Sequence, residues 1–283
     1  MNRIVFKRQL SKDVFLMKIE APLIAEERKA GQFIILQTEE DYGERIPLTI
    51  ADADALNGAI TIIFQVVGKT TAELSLFEVN DELPALVGPL GKPTHIENFG
   101  HVVCVGGGIG VAPLYPIAQA LKEAGNKLTV IIGARTKELI ILEEEMKTIA
   151  DELMVCTDDG SYGMKALVTI PLKEICEREL EPDRVIAIGP PVMMKFCAET
   201  TRPFGIYTEV SLNTIMVDGT GMCGGCRFNI NHQAKFVCVD GPEFNAHEVD
   251  FDNMIARLNS YRDIEKQKYK CFLERSIREK ILV

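Results

Sequence analysis

The sequence predicts a β plus α/β protein in three parts. These are an N-terminal antiparallel β-barrel over residues 1–97, a Rossmann-like domain with a parallel sheet over 98–208, and a Gly- and Cys-rich loop with a helix over 209–283. Three observations carry this reading. Short apolar runs bounded by turn signals fill the first part, β runs alternate with helical segments in the second, and neither pattern continues beyond residue 209. At 283 residues the chain also has the length of about two domains of roughly 150 residues each.

The barrel is read from RIVFKRQ, VFLMKIE, QFIILQT, IPLTI and AITIIFQVV, with Ala30-Gly31, Asn57-Gly58 and Gly88-Pro89-Leu90-Gly91 between or after them. Strands at this spacing close into small antiparallel barrels. Next, HVVCVG, LTVIIGA, ELMVCT and RVIAIG alternate with helical segments near 112–124, 137–150, 165–178 and 191–201, the βαβ signature of a parallel sheet. The stretch from Asn253 to Val283 lacks Gly and Pro and reads as one helix of net charge +4. Its apolar positions Ile255, Leu258, Tyr261, Ile264, Phe272 and Leu273 recur at roughly helical spacing, so it is expected to bury one face. That face packs either on its own domain or on a partner.

Composition narrows the function. Hydrophobic residues make up 47% and charged residues 25%, an ordinary globular balance. The net charge of −10 argues against nucleic acid, whose phosphates demand clustered Lys and Arg. No run reaches the ~18 apolar residues of a membrane span, and the N-terminus has no apolar signal core, so the protein is expected in the cytoplasm without a membrane span. Eight cysteines are too few for a disulfide scaffold, and two of them form Cys-x-x-Cys. Cys104, Cys156, Cys176, Cys197 and Cys271 are assigned to packing.

Three segments carry chemistry. In DGTGMCGGCRFNINHQAKFVC, Asp218, Cys223, Cys226 and Cys238 supply one oxygen and three sulfur donors, spaced as in plant-type [2Fe–2S] loops but with aspartate in the first position. Gly219, Gly221, Gly224 and Gly225 let the backbone wrap closely. A structural zinc knuckle, with His232 or Asp218 as fourth ligand, remains open at this stage. In VCVGGGIGVAPLYPIAQAL, a strand runs through Gly107, Gly108, Ile109 and Gly110 into a helix opening at Ala112-Pro113, where backbone amides can receive a pyrophosphate. A tight turn without ligand is the alternative. Two further strand ends add Asp158-Asp159-Gly160 and Gly189-Pro190-Pro191 with Met193, in the crevice where open α/β sheets bind ligands. In the barrel, GERIPLTIA and FQVVGKTTAEL single out Arg45, Pro47, Leu48, Thr49, Gln65, Val67, Gly68, Thr70 and Thr71, with Gly88 and Gly91 beyond them. Arg45 can neutralise a diphosphate, while Thr49 and the amides near Val67 and Gly68 can hydrogen-bond a flavin ring.

Together these features resemble the ferredoxin–NADP reductase-like superfamily, close to the branch containing the electron-transfer subunit of dihydroorotate dehydrogenase. The resemblance spans nearly the whole chain and rests on GGGIGVAP, GARTKELIILEEEM, TDDGSYG, Asp-x4-Cys-x2-Cys-x11-Cys and GPEFNAHEVDF. It implies FAD on the barrel, a pyridine nucleotide on the second domain and a [2Fe–2S] cluster at the end. The implied activity is that of an oxidoreductase subunit: hydride exchange with NAD(H) through FAD, then single electrons through the cluster to or from a larger flavin and iron–sulfur partner in a heterodimer, with ferredoxin served through that partner. Electron-transfer subunits of dihydroorotate dehydrogenase look like four-cysteine proteins, so Asp218 favours a ferredoxin:NADP oxidoreductase relative. Arg135, after the second β run, stands where a 2′-phosphate can be met, so NADP(H) stays open beside NAD(H). Arg45 lies one residue earlier than in many relatives, and Leu48 stands where an aromatic often stacks. No residue is nominated as catalytic acid, base or nucleophile. The contrasting class is a non-catalytic zinc-knuckle interaction module.

Overall fold

The computed structural model describes residues 2–41 and 43–281. Its first unit contains β1 (Ile4–Ser11), β2 (Val14–Glu20), α1 (Pro22–Glu27), β3 (Phe33–Gln37), β4 (Arg45–Asp54), β5 (Ala59–Gln65), α2 (Lys69–Leu74) and β6 (Ala85–Leu90). The strands form one antiparallel sheet in the order β1-β2-β5-β4-β3-β6. It curls on itself because apolar side chains point to one interior, where Ile4, Ile19, Ile34, Leu36, Ile60 and Phe64 are buried together. A β-bulge between Ile50 and Asp52 bends β4, whose first half pairs with β3 and second half with β5.

The second unit contains β7 (His101–Gly107), α3 (Val111–Glu123), β8 (Lys127–Ala134), α4 (Glu143–Ile149), β9 (Glu152–Thr157), β10 (Met164–Lys165), α5 (Thr169–Cys176), β11 (Arg184–Ile188), α6 (Pro191–Thr201) and β12 (Tyr207–Ser211). The expected helix over 137–150 divides into a 3-10 turn at Lys137–Leu139 and α4, and that over 165–178 shortens to α5 because Met164–Lys165 pair with β9. In the sheet β7 lies between β8 and β11, so chain order reverses there, and the loops after β7 and β11 open a crevice between them. Val111, Leu114, Ile117 and Met146 cover one face together with barrel residues Val14, Leu16, Ala51 and Ile63. The barrel is therefore packed directly on the α3 side of the sheet.

Beyond Ser211 the chain forms β13 (Arg227–Ile230), β14 (Gln233–Phe236), α7 (Val237–Asp240), β15 (Glu243–Asn245), α8 (Phe251–Asn259) and α9 (Arg262–Ile281). This part is not separate from the second sheet. β15 pairs antiparallel with β12 as its last strand, and Phe228, Val237 and Met254 enter the core below α6. The single C-terminal helix expected from the sequence breaks at Ser260–Tyr261. Only α8 is anchored, through Phe251 and Met254, whereas Tyr261, Ile264 and Leu273 are exposed. Charges on every side of α9 leave it no continuous apolar face, so it runs alongside α2 without burying one.

Candidate functional site

A cavity of about 670 Å³ lies between barrel and sheet, within the size range of small-molecule sites. One wall is Pro47, Leu48 and Thr49 of β4 with Gln65, Val67 and Thr71. The opposite wall is Gly107, Gly108, Ile109, Gly110, Ala112 and Pro113 after β7, together with Gly189, Pro190, Pro191 and Met193 after β11, and Arg135 and Asp158 stand at its far end. These sequence-singled residues, distant in the chain, share one cleft because the switch in strand order brings their loops together. A third wall escapes sequence reading: Ser211, Leu212, Asn213, Met216 and Pro242, from the segments that lead into and out of the Cys-rich loop.

The glycines divide by what a side chain would meet. At Gly110 a Cβ would lie 2.3 Å from the Ile188 carbonyl oxygen, and at Gly107 2.2 Å from the Met193 sulfur, so these two allow the β7 and β11 loops to touch. Gly108 differs. Its φ of +55° is left-handed, and nothing lies within 4 Å of its Cβ direction. It presents bare backbone to the open cleft at the approach to α3, which fits a pyrophosphate.

Several barrel residues are placed otherwise. The amides of Val67 and Gly68 both donate to the Thr71 hydroxyl, at 3.0 and 3.1 Å, at the turn that enters α2. Thr70 is buried and donates its hydroxyl to the Glu44 carboxylate, outside the cleft lining. Gly88 and Gly91 serve packing: side chains there would strike Ile34 and Phe33. Arg45 opens β4 and lines a second, smaller cavity with Val87, Asp218, Thr220, Met222 and Cys223 rather than the cleft itself. Asp159 and Gly160 shape the loop after β9, where the Asp159 carboxylate accepts from the Ser161 amide and hydroxyl, an interaction that holds it below the usual carboxylate range.

The Cys-rich loop gathers its donors. Asp218 accepts from the Thr220 amide at 2.7 Å, from the Thr220 hydroxyl, and from the Cys223 amide at 2.9 Å. The Cys223 thiol beside it and these Thr220 and Cys223 donors drive its pKa far below the usual range and engage all four of its acceptor sites, one of which would be freed when Cys223 binds a metal as thiolate. Cys226 and Cys238 are buried with sulfurs 3.1 Å apart, and burial raises the Cys238 thiol to about 12. A bound metal cation reverses that preference by favouring thiolate. The donors thus fall into two pairs, and among the described residues no three His, Cys, Asp or Glu groups surround a single point. Pairs suit a two-iron cluster, which takes two ligands per iron; a zinc ion needs four around one centre. His232 is not a candidate ligand. It occupies the β13–β14 turn, the opposite end of a hairpin whose four-residue strands span about 13 Å from Cys226 and Cys238. Left-handed φ values at Gly219, Gly221 and Gly224 make the wrap possible.

None of the four histidines enters the cleft. His95 pairs with Glu97, His101 bonds Thr129, and His247 bonds Thr201.

Comparison with known proteins agrees with this division. Residues 104–199 match the family described as oxidoreductase NAD-binding domain, and residues 213–250 the iron–sulfur cluster binding domain of dihydroorotate dehydrogenase B. The chain is 51% identical, over 97% of its length and 96% of the relative's, to a Thermotoga maritima protein described as a homolog of the dihydroorotate dehydrogenase B (NAD(+)) electron transfer subunit. It is 31% identical to the electron transfer subunit of that enzyme from Fusobacterium nucleatum, over 86% of this chain and 95% of the relative's. Among solved structures, one concerned with flavin-based electron bifurcation in an NADH-dependent reduced ferredoxin–NADP oxidoreductase superposes with a TM-score of 0.91 at 50% identity, covering 96% of this chain and 98% of that one. A Neisseria gonorrhoeae ferredoxin NADP+ reductase, at 15% identity and a TM-score of 0.57, covering 72% of this chain and 90% of that one, shares the fold.

Proposed function

The chain belongs to the family of dihydroorotate dehydrogenase B electron-transfer subunits and their homologues, and from that premise we propose how its residues divide the work. It is a pyridine-nucleotide-dependent electron-transfer subunit of the ferredoxin reductase type, with FAD, a [2Fe–2S] cluster and NAD(H) as its groups. When bound, the flavin takes a hydride and releases electrons singly, and the cluster carries single electrons onward.

Thr49 and Gln65 would hold and orient the flavin ring, with Pro47 and Leu48 offering it apolar surface. Gly108 and its neighbours receive the nucleotide pyrophosphate, while Arg135 and Asp158 meet the adenosine end. Pro191 and Met193 close the cleft against water beside the nicotinamide. Hydride exchange between nicotinamide and flavin calls on no acid or base from the chain. Asp218, Cys223, Cys226 and Cys238 would hold the two irons, and Cys223 is the exposed member of the set, lining a cavity with Arg45 and Met222. This exposed face would be where a larger flavin and iron–sulfur subunit approaches to exchange electrons. No described helix is long and apolar enough to cross a membrane, and the proposed site of action is the cytoplasm.

The observation that carries this reading is the shared wall: Leu212, Met216 and Pro242 line the cleft and lead directly into the donor loop. Anaerobically purified protein should contain flavin and two irons per chain, and NADH should bleach the flavin and then the cluster absorbance. Zinc without flavin would replace this reading by the interaction module.

A further inference from the structure

Glu243 joins three parts of the molecule at one point. Its carboxyl oxygen Oε1 accepts from the Thr94 hydroxyl at 2.8 Å, and a Cβ on Gly31 would stand 2.9 Å from that oxygen. Thr94 belongs to the connection between barrel and sheet, Gly31 to the barrel, and Glu243 to β15, five residues beyond Cys238. Main-chain bonds run beside it: Lys92 N–H to the Gly241 carbonyl at 2.7 Å, Leu212 N–H to the Pro242 carbonyl and Thr94 N–H to the Ala30 carbonyl, each at 2.9 Å. Between Glu243 and Gly241 sits Pro242, a wall of the cleft.

We propose that the Glu243 carboxyl is a positioning group: by closing on Thr94 and Gly31 it fixes Pro242 in the cleft wall and the Cys238 segment behind it, so that electron passage from the cleft to the donor loop depends on this contact. The inference rests on the function proposed above. Burial, not the Thr94 hydrogen bond, keeps the acid neutral, since a hydroxyl that donates to a carboxyl favours its charged form. The charged group acting on Glu243 is another carboxylate, Glu209 of β12, which is itself held by Arg184 at 3.2 Å with His95 further out; Thr94 of the connection offers only a hydroxyl, and Gly31 of the barrel only backbone. Burial, together with Glu209, raises the Glu243 pKa to about 8 against the opposing Thr94 hydrogen bond. Above it the carboxyl gives one proton to solvent, and an unneutralised charge is left in the joint.

Stopped-flow reduction by NADH, between pH 6.5 and 9.5, follows flavin bleaching and cluster reduction separately in wild type, Glu243→Gln and Glu243→Ala. In parallel, hydrogen exchange at Lys92 and Leu212 is corrected for its intrinsic pH dependence. One pH unit above a pKa leaves about a tenth of the acid neutral. Wild-type cluster reduction should therefore fall about tenfold by pH 9 with flavin bleaching retained, and the two amides should lose protection over the same range. Glu243→Gln should match wild type at pH 7 and stay level to pH 9, whereas Glu243→Ala should be slow throughout. Identical profiles for wild type and Glu243→Gln, or unchanged protection of both amides in wild type, would overturn the proposal. Absence of flavin bleaching at every pH would instead count against the functional reading, leaving the exchange arm to decide on the joint.

Discussion

Replacing Gly108 by alanine isolates the nucleotide cradle from the rest of the fold. At φ +55° an L-residue costs about 1–2 kcal/mol, and no atom within 4 Å adds a clash, so the variant should fold with Tm lowered by a few degrees. Its methyl points into the open cleft, where a pyrophosphate would approach the amides. Losing one charge-assisted hydrogen bond of about 1.5–3 kcal/mol corresponds to roughly 10- to 150-fold weaker nucleotide binding. Gly205 supplies the control: its φ is +67°, its Cβ direction is also empty, and it lies outside the cleft, so Gly205→Ala carries the same backbone cost without the binding loss. Gly108→Val should bind still less. The assay is calorimetric titration with NAD(H) on protein of measured flavin content. Wild-type affinity in Gly108→Ala with flavin retained would refute the cradle, as would an equal loss in Gly205→Ala.

Gly110→Ala should destabilise the whole protein, since its Cβ would sit 2.3 Å from the Ile188 carbonyl; thermal unfolding reads this, and a wild-type Tm would contradict it. Asp218→Cys should keep a cluster at lower potential, because sulfur donates more electron density to iron than oxygen, whereas Asp218→Ala should lose it; iron analysis and spectroelectrochemical titration check both. Deleting residues 262–283 removes the exposed α9 and should weaken copurification of the large subunit while FAD stays bound, and full retention of the complex would exclude docking through this helix. For Glu243, whose pKa rises from 4.5 to about 8, the folded chain holds a proton that the unfolded chain has released between those values. Its contribution is therefore fully present below pH 4.5 and is lost progressively up to pH 8. At about 1.4 kcal/mol per unit this is on the order of 4–5 kcal/mol before solvent at the residue's edge reduces it. Denaturant unfolding of Glu243→Gln should lack this slope.

What the sequence displayed and what it hid follow from how far apart the interacting residues lie in the chain. Chemistry written within a few residues was legible. The Asp218–Cys226 spacing singles out donors that the structure brings together, and the glycines after β7 single out a loop that lines the cleft, because covalent connection places such groups together whatever the rest of the fold does. The β/α alternation revealed the parallel sheet for the same reason. Partners supplied from a distance were not legible. Nothing in FQVVGKTTAEL announces that the Val67 and Gly68 amides turn inward to Thr71 rather than outward to a ligand; that depends on the turn entering α2. Arg45 reads as a phosphate partner beside Thr49, yet it opens β4 at the end nearest the donor loop, and it lines the cavity of Asp218 and Cys223.

The largest omission was β15. Glu243-Phe244-Asn245 is too short for a strand signal, and it becomes one only because the edge of β12 offers unpaired hydrogen-bonding groups. Its consequence reaches the site. Pairing Glu243 with Ser211 draws the two segments flanking the Cys-rich loop into register, and the same register puts Ser211, Leu212 and Pro242 in the cleft. The donor loop is thus not a module appended to a nucleotide domain. Both of its ends are tied into the second sheet, so a shift of the β12–β15 edge would move the cleft wall and the proposed cluster ligands together. Substitutions at this edge should therefore change electron passage before they change the affinity for either ligand.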